Sequence, residues 1–255
     1  MSGNSNPPRI LAIHAHPDDI EFQCAGTLAR LKQAGASITI ATMTPGDCGS
    51  MELGPEEIAD LRRTEARESA ALIEADYFCL EFRDLFIVLD NPSRLRVTEF
   101  LRRVRPDVVI TAPAVDYMSD HELTSHLVRD ACFSASVPNY TTNAEGTPAA
   151  PLDRIPHLYY VDPVEGTDHF GNRIEPGFIV DITSTYELKK AMLACHASQR
   201  SWLLKQHGID EYLDSCERWS SARGKDIGVA YAEGFTQHAG HPYPSHNYLA
   251  ELLSD

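Results

Sequence analysis

No two of the six cysteines, at 24, 48, 79, 132, 195 and 216, stand in C-x-x-C spacing, and most lie inside apolar segments. That argues against a disulfide framework and for buried thiols in a reducing, cytoplasmic setting. No apolar run approaches the roughly 20 residues a helix needs to cross a bilayer. The opening MSGNSNPPRI has neither the basic segment nor the apolar core of a signal peptide, so residues 1–8 are expected to be a flexible lead-in. Positive charge is scarce: 22 Lys and Arg against 37 Asp and Glu leave a formal charge of −15. A nucleic-acid partner is thereby disfavoured, because phosphate binding needs clustered Lys and Arg. One local basic run, Arg94, Arg96, Arg102, Arg103 and Arg105, reads as a solvated helix face rather than a phosphate site. Glycines are missing where a dinucleotide fold would place them. Without G-x-G-x-x-G after the first strand, a nicotinamide or flavin oxidoreductase is an unlikely reading.

What is present is a chain of 255 residues, 43% of them apolar, enough for one sizeable core. Short β-rich runs alternate with helical patterns, the sequence form of βαβ units. Strands are expected at 9–15, 37–44, 76–82, 107–113, 157–162 and 178–183. Helices are expected at 21–34, 55–75, 92–105, from near His121, and from Ser184 to about Lys205. The fold class is therefore α/β: a Rossmann-like, largely parallel sheet flanked by helices, forming a single domain over 9–255. Ligands should bind at the carboxyl ends of its strands. The Pro- and Thr-rich segment 137–156 reads as a lid or cover loop, and 224–255 as an irregular C-terminal extension carrying His238, His241 and His246.

The stretch HAHPDD closes the first strand. One Asp before a helix is a capping residue. An imidazole and a second carboxylate in the same turn are costly to crowd together unless something cationic holds them. A divalent metal resolves the crowding, and imidazole plus carboxylate suits Zn²⁺ with three protein ligands and a position left for water. A third ligand should sit on another βα loop at the same sheet edge. His121, which follows the fourth strand and opens a helix, meets that condition.

AHPDD after the first strand, GDCGS after the second, RRTEARESA on the next helix and Asp-His after the fourth resemble the PIG-L/LmbE-like family. DIT at 181–183, LACHASQ at 193–199 and YAEGF at 231–235 add to the likeness. These are zinc-dependent deacetylases of N-acetylated sugars and related amides. The resemblance implies His16, Asp19 and His121 as zinc ligands, Asp18 as general base, and a small-molecule substrate held in part by Arg62. It also implies a homo-oligomer, with no nucleic-acid or membrane partner. For Arg62 an i,i+3 ion pair with Glu65 is an equal alternative. Gly46, Asp47 and Gly49 look like an active-site loop, with Asp47 a substrate-binding candidate, although Gly and Asp favour turns anywhere.

One position departs from the pattern. The family commonly carries H-x-x-H here, and this chain has Met118-Ser119-Asp120-His121. Methionine cannot donate a hydrogen bond to an oxyanion. A tail histidine, His238 or His241, is the expected replacement, with Tyr117 and Asp120 as other candidates. The alternatives to a deacetylase are a zinc-stabilised protein with attenuated or no turnover, used for binding or regulation, and a hydrolase of another amide or an ester.

Overall fold

In the computed structural model, residues 7–142, 146–207 and 212–254 are described. Seven strands form one sheet: β1 (Arg9–His14), β2 (Ser37–Thr42), β3 (Asp76–Cys79), β4 (Val108–Thr111), β5 (His157–Val161), β6 (Phe178–Asp181) and β7 (Ala232–Gln237). Their order is β3-β2-β1-β4-β5-β7-β6. The first five run parallel, and β7 pairs antiparallel with both β5 and β6. The Rossmann-like sheet expected from the sequence is thus present, with an antiparallel edge.

The strand periodicity of two divides the core. Ile10 and Ala12 of β1 pack on one face with Leu28, Leu31 and Ile40, whereas Leu11 and Ile13 pack on the other with Val97, Leu101 and Leu127. A strand buried on both faces reads as a continuous apolar run, as RILAIH does. The covering helices are α1 (Asp19–Gln23), α2 (Ala25–Gln33), α3 (Pro55–Ala71), α4 (Asn91–Val104), α5 (Ser119–Ser134), α6 (Tyr186–Ala194), α7 (Ala197–His207), α8 (Tyr212–Ile227) and α9 (Tyr248–Leu252). None of them is long and apolar enough to cross a membrane. All six cysteines are free.

Three expectations need correction. The helix expected over 21–34 is two helices, broken at Cys24 (φ −146°). The break lets the Glu233 carboxylate accept the Gly26 and Thr27 amides at 3.0 and 2.8 Å, with Lys189 Nζ 2.7 Å from the same carboxylate. A buried anion at the start of α2 meets both its free N–H groups and its dipole. Second, 224–255 is not irregular: β7 is an interior strand of the sheet, and α8 and α9 flank it. Its sequence AEGFTQ hides this because Glu233 occupies a core position through the ion pair with Lys189, both side chains being almost wholly buried. Third, the described residues of 137–156 pack on α4 and the end of α5 and do not line the pocket. Among its described residues, Thr142 and Ala149 bond to Glu99 on α4, and buried Leu152 donates its N–H to Ala135 O just beyond α5. For the flexible start, residues 1–6 lie outside the described residues; Pro8 already accepts an N–H from Ser37 beside β1.

The basic run is not wholly a solvated face: Arg102 is buried, whereas Arg103 and Arg105 form ion pairs nearer the surface. Arg102 donates to the carbonyls of Ala135 and Val137, Arg103 pairs with Glu99, and Arg105 pairs with Asp153.

Candidate functional site

Strand β1 has β2 on one side and β4 on the other, so the chain order reverses between β1 and β4. Loops leaving their carboxyl ends diverge there and open a crevice. The fold therefore delivers the His14–Asp19 turn and the Asp116–His121 loop to one place, although 100 residues separate them in sequence.

The turn itself is held under tension. Asp18 sits at φ 97°, ψ −28°, a left-handed conformation uncommon for a residue with a Cβ. Arg62 Nη2 donates to Pro17 O at 2.7 Å, and Asp19 Oδ2 accepts the His16 amide at 2.8 Å. The consequence is that two adjacent carboxylates face apart. Asp19 meets a set of imidazoles: His14 Nδ1 at 2.6 Å, His16 Nδ1 at 3.2 Å and His121 Nε2 at 3.4 Å. Asp18 instead accepts the Tyr212 hydroxyl at 2.7 Å and lies 3.5 Å from Arg62 Nη2.

On the opposite wall, His121 Nδ1 is 2.9 Å from Asp116 Oδ1. That carboxylate engages Nδ1 and turns Nε2 towards Asp19, the arrangement that orients metal-bound imidazoles. His121 Nε2 is buried and has no hydrogen-bond partner. His16 Nε2 points the other way, 3.0 Å from Asp84 Oδ1 and 3.5 Å from Asp120 Oδ2. Among the described residues two triplets offer converging ligand atoms: His14 with Asp19 and His121, and His16 with Asp84 and Asp120.

The electrostatics call for a cation. Burial would raise the Asp19 carboxyl, yet His14 and His121 hold it well below the usual carboxylate range. Burial would likewise lower His121, but Asp19 and Asp116 push it up to about 9. Burial and the neighbouring Asp19 charge raise Asp18, against Arg62 and the Tyr212 hydroxyl, which lower it. Acids that retain protons on buried imidazoles offer the same stabilisation to a metal ion in their place.

A pocket of about 650 Å³ opens over this centre. His16, Asp18, Asp19 and His121 line it, whereas His14, at the end of β1, does not. The sequence-derived residues thus fall into groups. His16, Asp18, Asp19 and His121 are brought together. Arg62 is close, but its guanidinium is buried between the Pro17 and Gly46 carbonyls, and a Cβ at Gly49 would come within 2.5 Å of it. It braces the two loops, while Glu65 bonds to Ser198 instead. Asp47 accepts the Asp84 amide at 2.8 Å and is absent from the pocket lining.

Within one chain the tail histidines are not brought to the pocket. Because β7 runs antiparallel, its carboxyl end reaches the far edge of the sheet. The His238 amide donates to Leu158 O at the start of β5, and its ring lies by Tyr160 and Tyr243. His241 follows three residues later and is exposed. Asp120, another candidate, is buried and accepts the Leu85 amide at 2.8 Å. Tyr117 remains: it lines the pocket with Met118, its ring edge-on to His121 with centroids 5.5 Å apart. Sequence reading missed His14, Asp84, Asp116 and Tyr212. Asp116 was findable, since VDYMSDH crowds a second acid ahead of His121; nothing local marks Tyr212, almost 200 residues from Asp18.

Residues 11–132 match the family model described as PIG-L, GlcNAc-PI de-N-acetylase. The chain thus carries a PIG-L-type domain over those residues. It is 26% identical over 208 residues to a 4-oxalmesaconate hydratase of Pseudomonas putida, covering 77% of this chain and 76% of that one. It is also 26% identical over 235 residues to a diacetylchitobiose deacetylase of Thermococcus kodakarensis, covering 89% and 81%. The solved N,N'-diacetylchitobiose deacetylase from Pyrococcus horikoshii superposes with a TM-score of 0.73 at 25% identity, over 95% of this chain and 89% of that one. These relatives are deacetylases and a hydratase, so likeness to them leaves the reaction to be argued from the site.

Proposed function

We propose that this protein is a zinc-dependent, cytoplasmic deacetylase of a small N-acetylated sugar or related amide. The observation that carries the reading is the Asp116–His121–Asp19 alignment: a buried imidazole nitrogen with no partner, its ring set by one carboxylate and aimed at another. His16, Asp19 and His121 would hold the ion, because all three line the pocket and a catalytic centre must leave one side open to substrate. His14 lies behind them, supporting the second Asp19 oxygen. Bound there, zinc supplies Lewis acidity towards the acetyl carbonyl and a water acidified to a pKa near 7.

The chain's own groups do the rest. Asp18 takes the proton of the attacking water; the Tyr212 hydroxyl and Arg62 fix its carboxylate so that it faces the pocket rather than its neighbour Asp19. Tyr117 donates a hydrogen bond to the developing oxyanion, the task that Met118 cannot perform. Asp18 then returns the proton to the departing amine, and acetate leaves.

Hydration of a carboxylate substrate is the second reading, motivated by the hydratase relative. The pocket lining disfavours it: Asp18, Asp19, Asp84 and Glu165 face a single guanidinium, that of Arg62, which loop carbonyls already occupy. Zinc-loaded protein incubated with N-acetylglucosamine derivatives should release acetate stoichiometric with free amine. Water addition to 4-oxalmesaconate with no acetate from any amide would replace this reading with the second.

A further inference from the structure

Leu85 is 60% exposed although it borders the centre, and its backbone is left-handed at φ 65°. A branched apolar residue adopts that conformation only when its surroundings impose it. Here they do so through a chain of carboxylate–amide bonds. Asp120 accepts the Leu85 amide at 2.8 Å, Asp47 accepts the Asp84 amide at 2.8 Å, and Asp84 accepts the Cys48 amide at 3.3 Å. The loop is fixed with its apolar side chain turned out to water. Tyr117, on the loop that delivers His121, is 67% exposed and lines the same pocket as Leu85. Phe22, Met118 and Val164 extend this apolar lining.

Such a surface at the mouth of a charged centre has one occupant continuous with the chemistry: the part of the substrate next to the reacting amide. The charges narrow it further. Beyond the metal-binding imidazoles, an anionic substituent would meet the Asp84 and Glu165 carboxylates, and Arg62, the one Lys or Arg of the described lining, is engaged by loop carbonyls.

We propose that the pocket takes a neutral or cationic N-acetylated amine whose adjoining group is apolar, seated on Leu85 and Tyr117, and that it discriminates against phosphate- and carboxylate-bearing analogues. This rests on the deacetylase reading of the same site for its kinetic test, and not for its binding test.

The experiment compares 4-nitrophenyl and methyl N-acetyl-β-glucosaminide with N-acetylglucosamine 6-phosphate on the zinc-loaded protein. Acetate release and ligand-induced shifts of melting temperature are both measured. The aryl glycoside should exceed the methyl one in kcat/KM by about tenfold, through KM, as burial of an aromatic group predicts. It should raise the melting temperature most, and the phosphate least. Leu85→Asn keeps a residue that tolerates the left-handed backbone and removes the apolar surface, so the aryl-to-methyl ratio should fall towards one and the aryl-induced shift should vanish. Should no compound release acetate, the deacetylase reading fails, and the shifts alone decide this proposal. A phosphate preference, an aryl shift unaffected by Leu85→Asn, or a variant that changes only oligomeric mass would overturn it, the last assigning Leu85 to a contact with a second copy.

Discussion

Asp18→Asn is expected to retain its metal at full stoichiometry and to lose acetate release by about 10²–10⁴-fold, the range that proton transfer by a positioned base contributes. The substitution is favourable for a clean result. Asn is among the few residues that adopt the left-handed backbone found at Asp18 (φ 97°), so the turn can persist. Its amide oxygen can still accept the Tyr212 hydroxyl that Asp18 accepts now. What disappears is the ability to take up a proton. Asp19 keeps its contacts with the three imidazoles, so the metal site is undisturbed. Metal content measured by elemental analysis beside initial rates separates the two effects, and equal loss of both would show Asp18 to be a ligand rather than a base.

His121→Ala is expected to do the reverse and abolish metal retention. His121 is the imidazole that the loop after β4 brings to Asp19, and its Nε2 lies 3.4 Å from Asp19 Oδ1. Removing a carboxylate behind a metal-bound histidine typically weakens affinity by about 10–100-fold, so loss of the imidazole itself should exceed 100-fold. Asp116→Ala should fall within the smaller range, because it releases the ring at Nδ1 without deleting it. Competition with a chelator measures all three proteins on one scale. Full zinc occupancy in His121→Ala would place the ion elsewhere.

The parallel half of the sheet was legible because burial on both faces leaves an unmistakable mark. Strands such as RILAIH and DVVITAP show it, and the loops after the first and fourth of them carried the metal-type residues. The C-terminal strand β7 was not legible, since a strand holding Glu233 and Gly234 in the core makes sense only once Lys189 and the Asp162 carboxylate are seen against them. The position of the tail histidines within one chain was hidden by the same omission: a strand entering antiparallel sends its end away from that chain's centre. Arg62 was identified as a substrate contact or a partner of Glu65, and its loop-bracing contacts were not foreseen. Its partners are backbone carbonyls of two loops, and carbonyls carry no side-chain signal in a sequence. Long-range pairs such as Asp18 with Tyr212 are likewise products of packing rather than pattern.

The most direct measurement of the central claim is a zinc-edge anomalous difference map from crystals of the metal-loaded protein. The account predicts one peak within about 2.0–2.2 Å of His16 Nδ1, an Asp19 oxygen and His121 Nε2, open towards the pocket. A peak held by His16 Nε2, Asp84 and Asp120, with nothing beside His121, would contradict it.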